Sequence, residues 1–223
     1  GRGGIGAVLG SKNLKAVVAN GSGGIKVARP KEFAEVIDKA EQWLKNYPFA
    51  AIPEMGTVGL LSGNNAMGML PTRNFQTGFF ENADKVAGEV VNRKYQIKRR
   101  ACYGCSFGCG RYTAVSGGKF ATPPMEGPEY ETADMLGPIC GVDDIEAIIR
   151  GNFLCNVYGL DTISTGISIG FAMECYERGL LTDRDTDGIP LRWGDAEAVV
   201  KLVEKIAHRE GIGDLLALGV KRM

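Results

Sequence analysis

The apolar positions of this chain recur mostly at helical spacing. Phe33, Ile37, Ala40, Trp43 and Leu44 follow Pro30 at intervals of three and four, which predicts an amphipathic helix that Pro48 stops. Ahead of it, the apolar run Ala16–Ala19 predicts one short strand ending at the glycine-rich turn Asn20–Gly24. Met55–Ser62 predicts a second, short helix, and Asn64–Glu81, broken by Gly68, Pro71 and Gly78, an irregular stretch. Ala87–Arg99 reads as a helix and Tyr112–Phe120 as a hairpin turning at Gly117 and Gly118. Helices then follow over Tyr130–Leu136, Asp143–Tyr158, Thr162–Arg178 and Asp195–Arg209. Leu180–Leu191 separates the last two as an acidic loop, and a final helix starts near Gly213. Asp143 and Glu146 have the spacing of a capping box. From Pro30 onward the pattern is mainly helical.

Composition narrows the class. With 223 residues, 44% apolar and 23% charged, the chain has room for one large domain or a domain with appendages. Its 26 basic and 26 acidic side chains cancel, which argues against a dedicated nucleic-acid binder. No apolar run approaches the length of a membrane span. The 32 glycines gather in Gly1–Gly10, Gly21–Gly24 and Cys102–Gly118. Grouped glycine suits close backbone approach to a ligand, or simply many turns. The chain opens on Gly-Arg-Gly-Gly without a secretory signal, so we expect a piece of a longer, cytoplasmic protein.

Cys102, Cys105 and Cys109 stand in Ala-Cys-Tyr-Gly-Cys-Ser-Phe-Gly-Cys-Gly, a C-x2-C-x3-C spacing. Three thiolates this close can hold one compact metal centre from a single loop. Gly104, Gly108 and Gly110 let the backbone turn and aim N–H groups at sulfur. A four-iron, four-sulfide cluster is the expected tenant, with one ligand still to come from elsewhere. Zinc is the rival, although structural zinc sites usually bring two separated pairs of ligands. Cys140, Cys155 and Cys175 are singletons, and His208 is the only histidine. A disulfide framework fits poorly, because the loop leaves an odd thiol.

Three further segments carry candidate chemistry. Arg2, Gly3 and Gly4 open a glycine-rich loop that could cradle an anion, with the planar fork of Arg2 suited to phosphate; a ligand-free turn explains it equally. Glu129 and Glu131 offer carboxylates for general base work, or merely favour a helix N-terminus. Asn156, Gly159, Leu160 and Asp161 join two helices, and capping alone accounts for Gly159 and Asp161.

Taken in order, eight short motifs give these segments a common meaning. They are Gly1–Val8, Ser11–Ala16, Leu70–Phe75, the cysteine loop, Gly127–Thr132, Tyr158–Thr162, Phe171–Glu174 and Arg209–Asp214. Together they resemble the aldehyde:ferredoxin oxidoreductase family of tungsten–pterin enzymes. The resemblance implies a mainly α fold: the helical second domain of that family (residues 26–223) after a short β-containing remnant of its first domain (residues 1–25), with the third domain absent. It further implies aldehyde oxidation at tungsten, or molybdenum, held by two pterins, with electrons leaving through a [4Fe-4S] cluster to ferredoxin or a partner subunit. Cys102, Cys105 and Cys109 match three cluster ligands. Arg2, Gly3 and Gly4 match the loop near the pterin phosphates. The pterin motif D-x-x-G-L-D appears as Asn156 to Asp161, with Asn156 a departure that loses a charge. The acid near tungsten falls in Glu129–Glu131, preferably Glu131. The family's catalytic histidine has no match, and His208 reads as a surface residue. Arg99 and Arg100 could tune the cluster or attract an acidic ferredoxin, or form a solvated helix end. A homo-oligomer is compatible with this reading. The alternatives are reduction of an activated aromatic acid within the same family, a non-catalytic iron–sulfur electron carrier and a zinc-stabilised interaction domain.

Overall fold

A computed structural model of the chain describes residues 2–47 and 51–223. Helices supply most of it: α1 (Ile5–Ser11), α2 (Pro30–Lys45), α3 (Ala51–Met55), α4 (Leu60–Ala66), α5 (Gly88–Lys94), α6 (Tyr130–Leu136), α7 (Ile145–Tyr158), α8 (Thr162–Glu177), α9 (Ala196–His208) and α10 (Ile212–Leu216). Strands β1 (Gln96–Arg100), β2 (Gly110–Val115) and β3 (Thr122–Glu126) form one antiparallel sheet in that order.

The mainly helical expectation holds, and α6 falls on the residues expected of it. Four local expectations do not. Ala16–Ala19 forms no strand; residues 14–27 are irregular and exposed, with no partner strand among the described residues to take their backbone groups. Part of the glycine-rich opening winds into α1 instead of remaining a loop. The helix expected over Ala87–Arg99 ends at Lys94, and Gln96–Arg100 pairs with β2, where Arg99 lies opposite Arg111 and Arg100 opposite Gly110. Met55–Ser62 divides into the end of α3, a 3-10 turn at Thr57–Gly59 and the start of α4. Pro48, expected to stop α2, and Gly1 lie outside the described residues.

The helix boundaries follow from caps. Asp144, not Asp143, caps α7: its Oδ1 accepts from the N–H groups of Glu146 and Ala147 at 3.0 and 3.3 Å. Asp143 pairs instead with Lys85. Asp161 caps α8 and Asp195 caps α9 in the same way. Gly159 ends α7 at φ 74°, the left-handed position that glycine adopts without a Cβ clash. In the acidic loop, Asp183, Asp185 and Asp187 have the alternate spacing of calcium loops, but their carboxylates are engaged. Asp183 accepts from the Tyr176 hydroxyl, Asp185 from Thr182, and Asp187 from Lys205 and the Ile212 N–H.

The core lies where α6 to α9 meet, with Leu136, Ile139, Ile148, Ile169, Met173 and Leu202 fully buried. Helices α6 and α8 approach so closely that a Cβ on Gly166 would lie 2.1 Å from the Met135 carbonyl oxygen. Helix α2 is amphipathic yet has no buried residue, so Phe33, Val36 and Trp43 face outward. One carboxyl is enclosed in α6. Asp134 is 1% exposed, its Oδ1 has no partner among the described residues, and its Oδ2 lies 3.5 Å from the Tyr130 hydroxyl. Burial pushes its pKa up to about 7.

Two stability outcomes follow. Gly166→Ala should lower the unfolding free energy by about 1–3 kcal/mol, since backbone rather than a flexible side chain blocks the new methyl. Gly63→Ala in α4, with open space around it, should raise it by about 0.5–1 kcal/mol. Denaturant unfolding of the intact protein measures both. For Asp134, the folded pKa stands above the unfolded one, so its contribution is full below the unfolded value and lost as pH rises through about 7. Asp134→Asn removes that dependence. Its stability relative to wild type should therefore improve by on the order of 2 kcal/mol between pH 5 and pH 8.

Candidate functional site

The cysteine loop hangs between β1 and β2. Cys102 and Cys105 are exposed, Cys109 is half-buried, and none is in a disulfide. The N–H groups of Gly108 and Phe107 reach the Cys105 sulfur and hold its thiol below the ordinary range. That suits a thiolate ligand. Among the described residues, no three His, Cys, Asp or Glu side chains form a group that could hold a metal ion.

Two arginines hold this loop in place. Arg99 donates to the carbonyls of Gly108 at 2.9 Å and Ser106 at 3.2 Å, and to that of Phe107. Arg111 is 1% exposed and spans two elements. Its Nη1 donates to Gly110 at 2.7 Å and Gly108 at 3.1 Å, and its Nη2 to Pro53 at 2.8 Å and Ile52 at 3.2 Å. Its Nε has no partner among the described residues. Arg100 reaches Glu126 at 3.5 Å, at the end of β3.

From β3 the chain turns through Gly127 into α6, and the candidate carboxylates stand at that turn. Glu129 accepts from the Thr57 hydroxyl at 2.5 Å, and the same hydroxyl accepts from the Tyr130 N–H at 2.9 Å. Burial pushes the Glu129 carboxyl above its ordinary pKa, with Glu126 and Glu131 adding to the effect and Thr57 and Arg111 opposing it. Glu131 is exposed. Thr132 and Thr162 share a hydroxyl–hydroxyl bond of 2.8 Å that joins the starts of α6 and α8.

An open cavity of about 650 Å³ gathers six of the expected residues. Its lining includes Arg2, Glu129, Glu131, Asn156, Leu160 and Asp161, together with Glu126, Asn152 and Thr162. Arg2 lies 3.8 Å from Asp161. Asp161 also caps α8, so capping and cavity lining coincide in one carboxylate. Asn156 turns its amide back to Asn152. Gly3 and Gly4 sit at positive φ ahead of α1, and Gly159 at the end of α7; none of the three lines the cavity. His208 is exposed and stacks edge-on with Tyr158 at 5.0 Å, away from this lining. A groove of about 680 Å³ elsewhere is lined by the Lys119–Glu197 and Arg150–Glu204 pairs and holds none of the candidate residues.

The donor set fits both groups that the sequence implies. The loop offers free thiols and sulfur-directed N–H groups, as an iron–sulfur cluster requires. The cavity offers a guanidinium, carboxylates and amides, as a phosphate-bearing heterocycle requires. Arg111, Thr57 and Asn152 are absent from the sequence reading. Arg111 has a local signal, a cation two residues after the last loop cysteine. Thr57 has none, because it meets Glu129 across 72 residues of chain.

Comparison with known proteins finds relatives along the whole chain. The family described as "Aldehyde ferredoxin oxidoreductase, domains 2 & 3" matches residues 35–223. A tungsten-containing aldehyde ferredoxin oxidoreductase of Thermococcus kodakarensis is 44% identical over the whole of this chain, which spans 36% of that protein. The WOR-like subunit of an aliphatic sulfonate oxidoreductase of Pyrococcus furiosus is 37% identical, again along the whole chain and over 35% of its own length. In the solved structures, the active-site complex BamBC of benzoyl coenzyme A reductase with 1,5-dienoyl-CoA superposes with a TM-score of 0.75 and 27% identity, covering 99% of this chain and 34% of that one. The chain thus spans about a third of the length of the relatives it matches. With the family matched over most of the residues, the chain belongs to the aldehyde ferredoxin oxidoreductase family.

Proposed function

We propose that this chain forms the iron–sulfur and pterin-binding part of a tungsten oxidoreductase that converts aldehydes to carboxylates. Ferredoxin or an electron-transfer subunit is the acceptor, and the cytoplasm its setting. Residues 26–223 act as the helical domain and residues 1–25 as the end of the preceding pterin-binding domain. One observation carries the reading: a single cavity brings Arg2, Glu129, Glu131, Asn156 and Asp161 together from three separate segments of sequence.

When bound, a tungsten–bis-pterin group and a [4Fe-4S] cluster supply the oxygen transfer and the path for two electrons. The chain's own residues do the rest. Cys102, Cys105 and Cys109 ligate the cluster. Arg2 binds pterin phosphate with its fork, with Gly3 and Gly4 letting the backbone approach. Asp161 and Asn156 accept pterin N–H bonds, Gly159 and Leu160 shaping the turn that presents them. Glu129 and Glu131 face the same space. Glu129, whose carboxyl binds its proton more tightly than usual and is fixed by Thr57, is suited to take a proton from attacking water at its free oxygen. Reduction of an activated aromatic acid is the second reading, favoured by the likeness to benzoyl coenzyme A reductase. Viologen-coupled assays with aldehydes and with an aromatic acyl thioester separate the two. Metal analysis separates both from an electron carrier holding iron alone.

Two outcomes test the residues. Cys105→Ser in the anaerobically purified intact protein should lower iron and sulfide content and alter the low-temperature paramagnetic spectrum. A full, unchanged cluster would remove Cys105 from the ligand set. Glu129→Gln should lower aldehyde turnover by about two to four orders of magnitude with tungsten and iron retained. Wild-type activity should fall toward acid as Glu129 gains its proton, at a pH above that of an ordinary glutamate, and the variant should lack that limb. If Glu129→Gln keeps wild-type kcat and Glu131→Gln does not, the role passes to Glu131.

A further inference from the structure

Arg111 is the anomaly of this fold. It is among the largest fully buried side chains, at 1% exposure. A guanidinium is always charged, and burying one without a counter-charge is costly. Yet no ion pair to Arg111 is present among the described residues; its four partners are the neutral carbonyls of Ile52, Pro53, Gly108 and Gly110. Its Nε has no partner among the described residues. Its bonds to the Gly108 and Gly110 carbonyls hold it against the two residues that flank Cys109. Gly56 seals it in: a Cβ there would lie 3.0 Å from Arg111 Cγ and 2.9 Å from the Cys109 carbonyl oxygen.

We propose that Arg111 is the built-in counter-cation of the iron–sulfur cluster and the residue that positions its loop. The inference rests on the cluster reading given above. A cubane with thiolate ligands is net negative in both oxidation states, so it supplies the anion that Arg111 lacks. The four carbonyl bonds fix the guanidinium at the foot of the loop, where it cannot swing away. A fixed positive charge in a water-poor setting favours the reduced, more negative cluster and so raises its reduction potential. Arg99 and Arg100 are largely solvated, so water screens their effect. Arg111 thus acts through the cluster without itself touching a reacting atom.

The test is the cluster's midpoint potential in the intact, anaerobically purified protein, read by paramagnetic resonance with iron content measured alongside. Arg111→Met should retain iron and lower the equilibrium constant for cluster reduction at least tenfold, which is about 59 mV for one electron. Arg111→Lys, which keeps the charge, and Arg100→Gln, which removes an exposed one, should each stay within threefold. An iron-replete Arg111→Met protein at the wild-type potential overturns the proposal. So does an equal fall in Arg111→Lys and Arg111→Met, because the fork and not the charge would then be responsible. Should Arg111→Met not fold, Arg111→Gln is read in the same way. Failure of both neutral variants beside a folded Arg111→Lys supports the need for charge, whereas failure of all three makes Arg111 a purely structural residue and overturns it. Wild-type protein without iron would sink the cluster reading itself instead.

Discussion

Strand β2 has to serve two neighbours at once, and the geometry of the site depends on it. On one edge it pairs with β1, so that Gly110 lies opposite Arg100 at the base of the cysteine loop. On the other it pairs with β3, so that Tyr112 lies opposite Glu126 just before the carboxylate turn. The Gly127 N–H donates to the Arg111 carbonyl at 2.8 Å, and the Thr113 hydroxyl to the Gly127 carbonyl at 2.6 Å. Three short strands therefore set the spacing between the loop thiols and the acid groups. Backbone ladders deform little, so this spacing is far stiffer than side-chain contacts alone would make it.

The helical body behind the sheet supplies the second constraint. Residues Tyr130 to Leu136 leave the sheet and immediately enter the core against α8. The Thr132–Thr162 bond and the Asp161 cap lie at the adjacent helix starts, beside the cavity. Cap, cavity wall and candidate cofactor contact are thus the same few residues. A capping role and a binding role are not rivals at Asp161, because a carboxylate has room for several donors.

Much of this was legible in the chain, and the failures have physical causes. Helices α7, α8 and α9 announce themselves by apolar spacing and by Gly159 and Asp195 at their ends. The cysteine loop is legible because its three cysteines lie within eight residues. Strand β1 is not, since Gln-Ile-Lys-Arg-Arg carries helix-forming residues and becomes a strand only because β2 offers it a partner. Ala16–Ala19 shows the converse: apolar residues without a partner strand stay irregular. The Thr57–Glu129 bond and the Arg111 clamp onto Ile52 and Pro53 join residues far apart in sequence, and no local pattern encodes such a meeting.

The six cysteines are divided by solvent access, and this bears on the order of assembly. Cys140 and Cys155 are buried in the helical core, where burial pushes both thiols up, that of Cys155 to about 12. They stay protonated and poor at capturing iron or forming mixed disulfides. The loop thiols of Cys102 and Cys105 stand at the surface, on a backbone already tethered by Arg99 and Arg111. The helical core can therefore form with its own sulfur chemistry silenced, and on the proposed reading iron and sulfide would reach the loop afterwards from outside. Loading of the proposed cluster would then be a surface event on a finished scaffold.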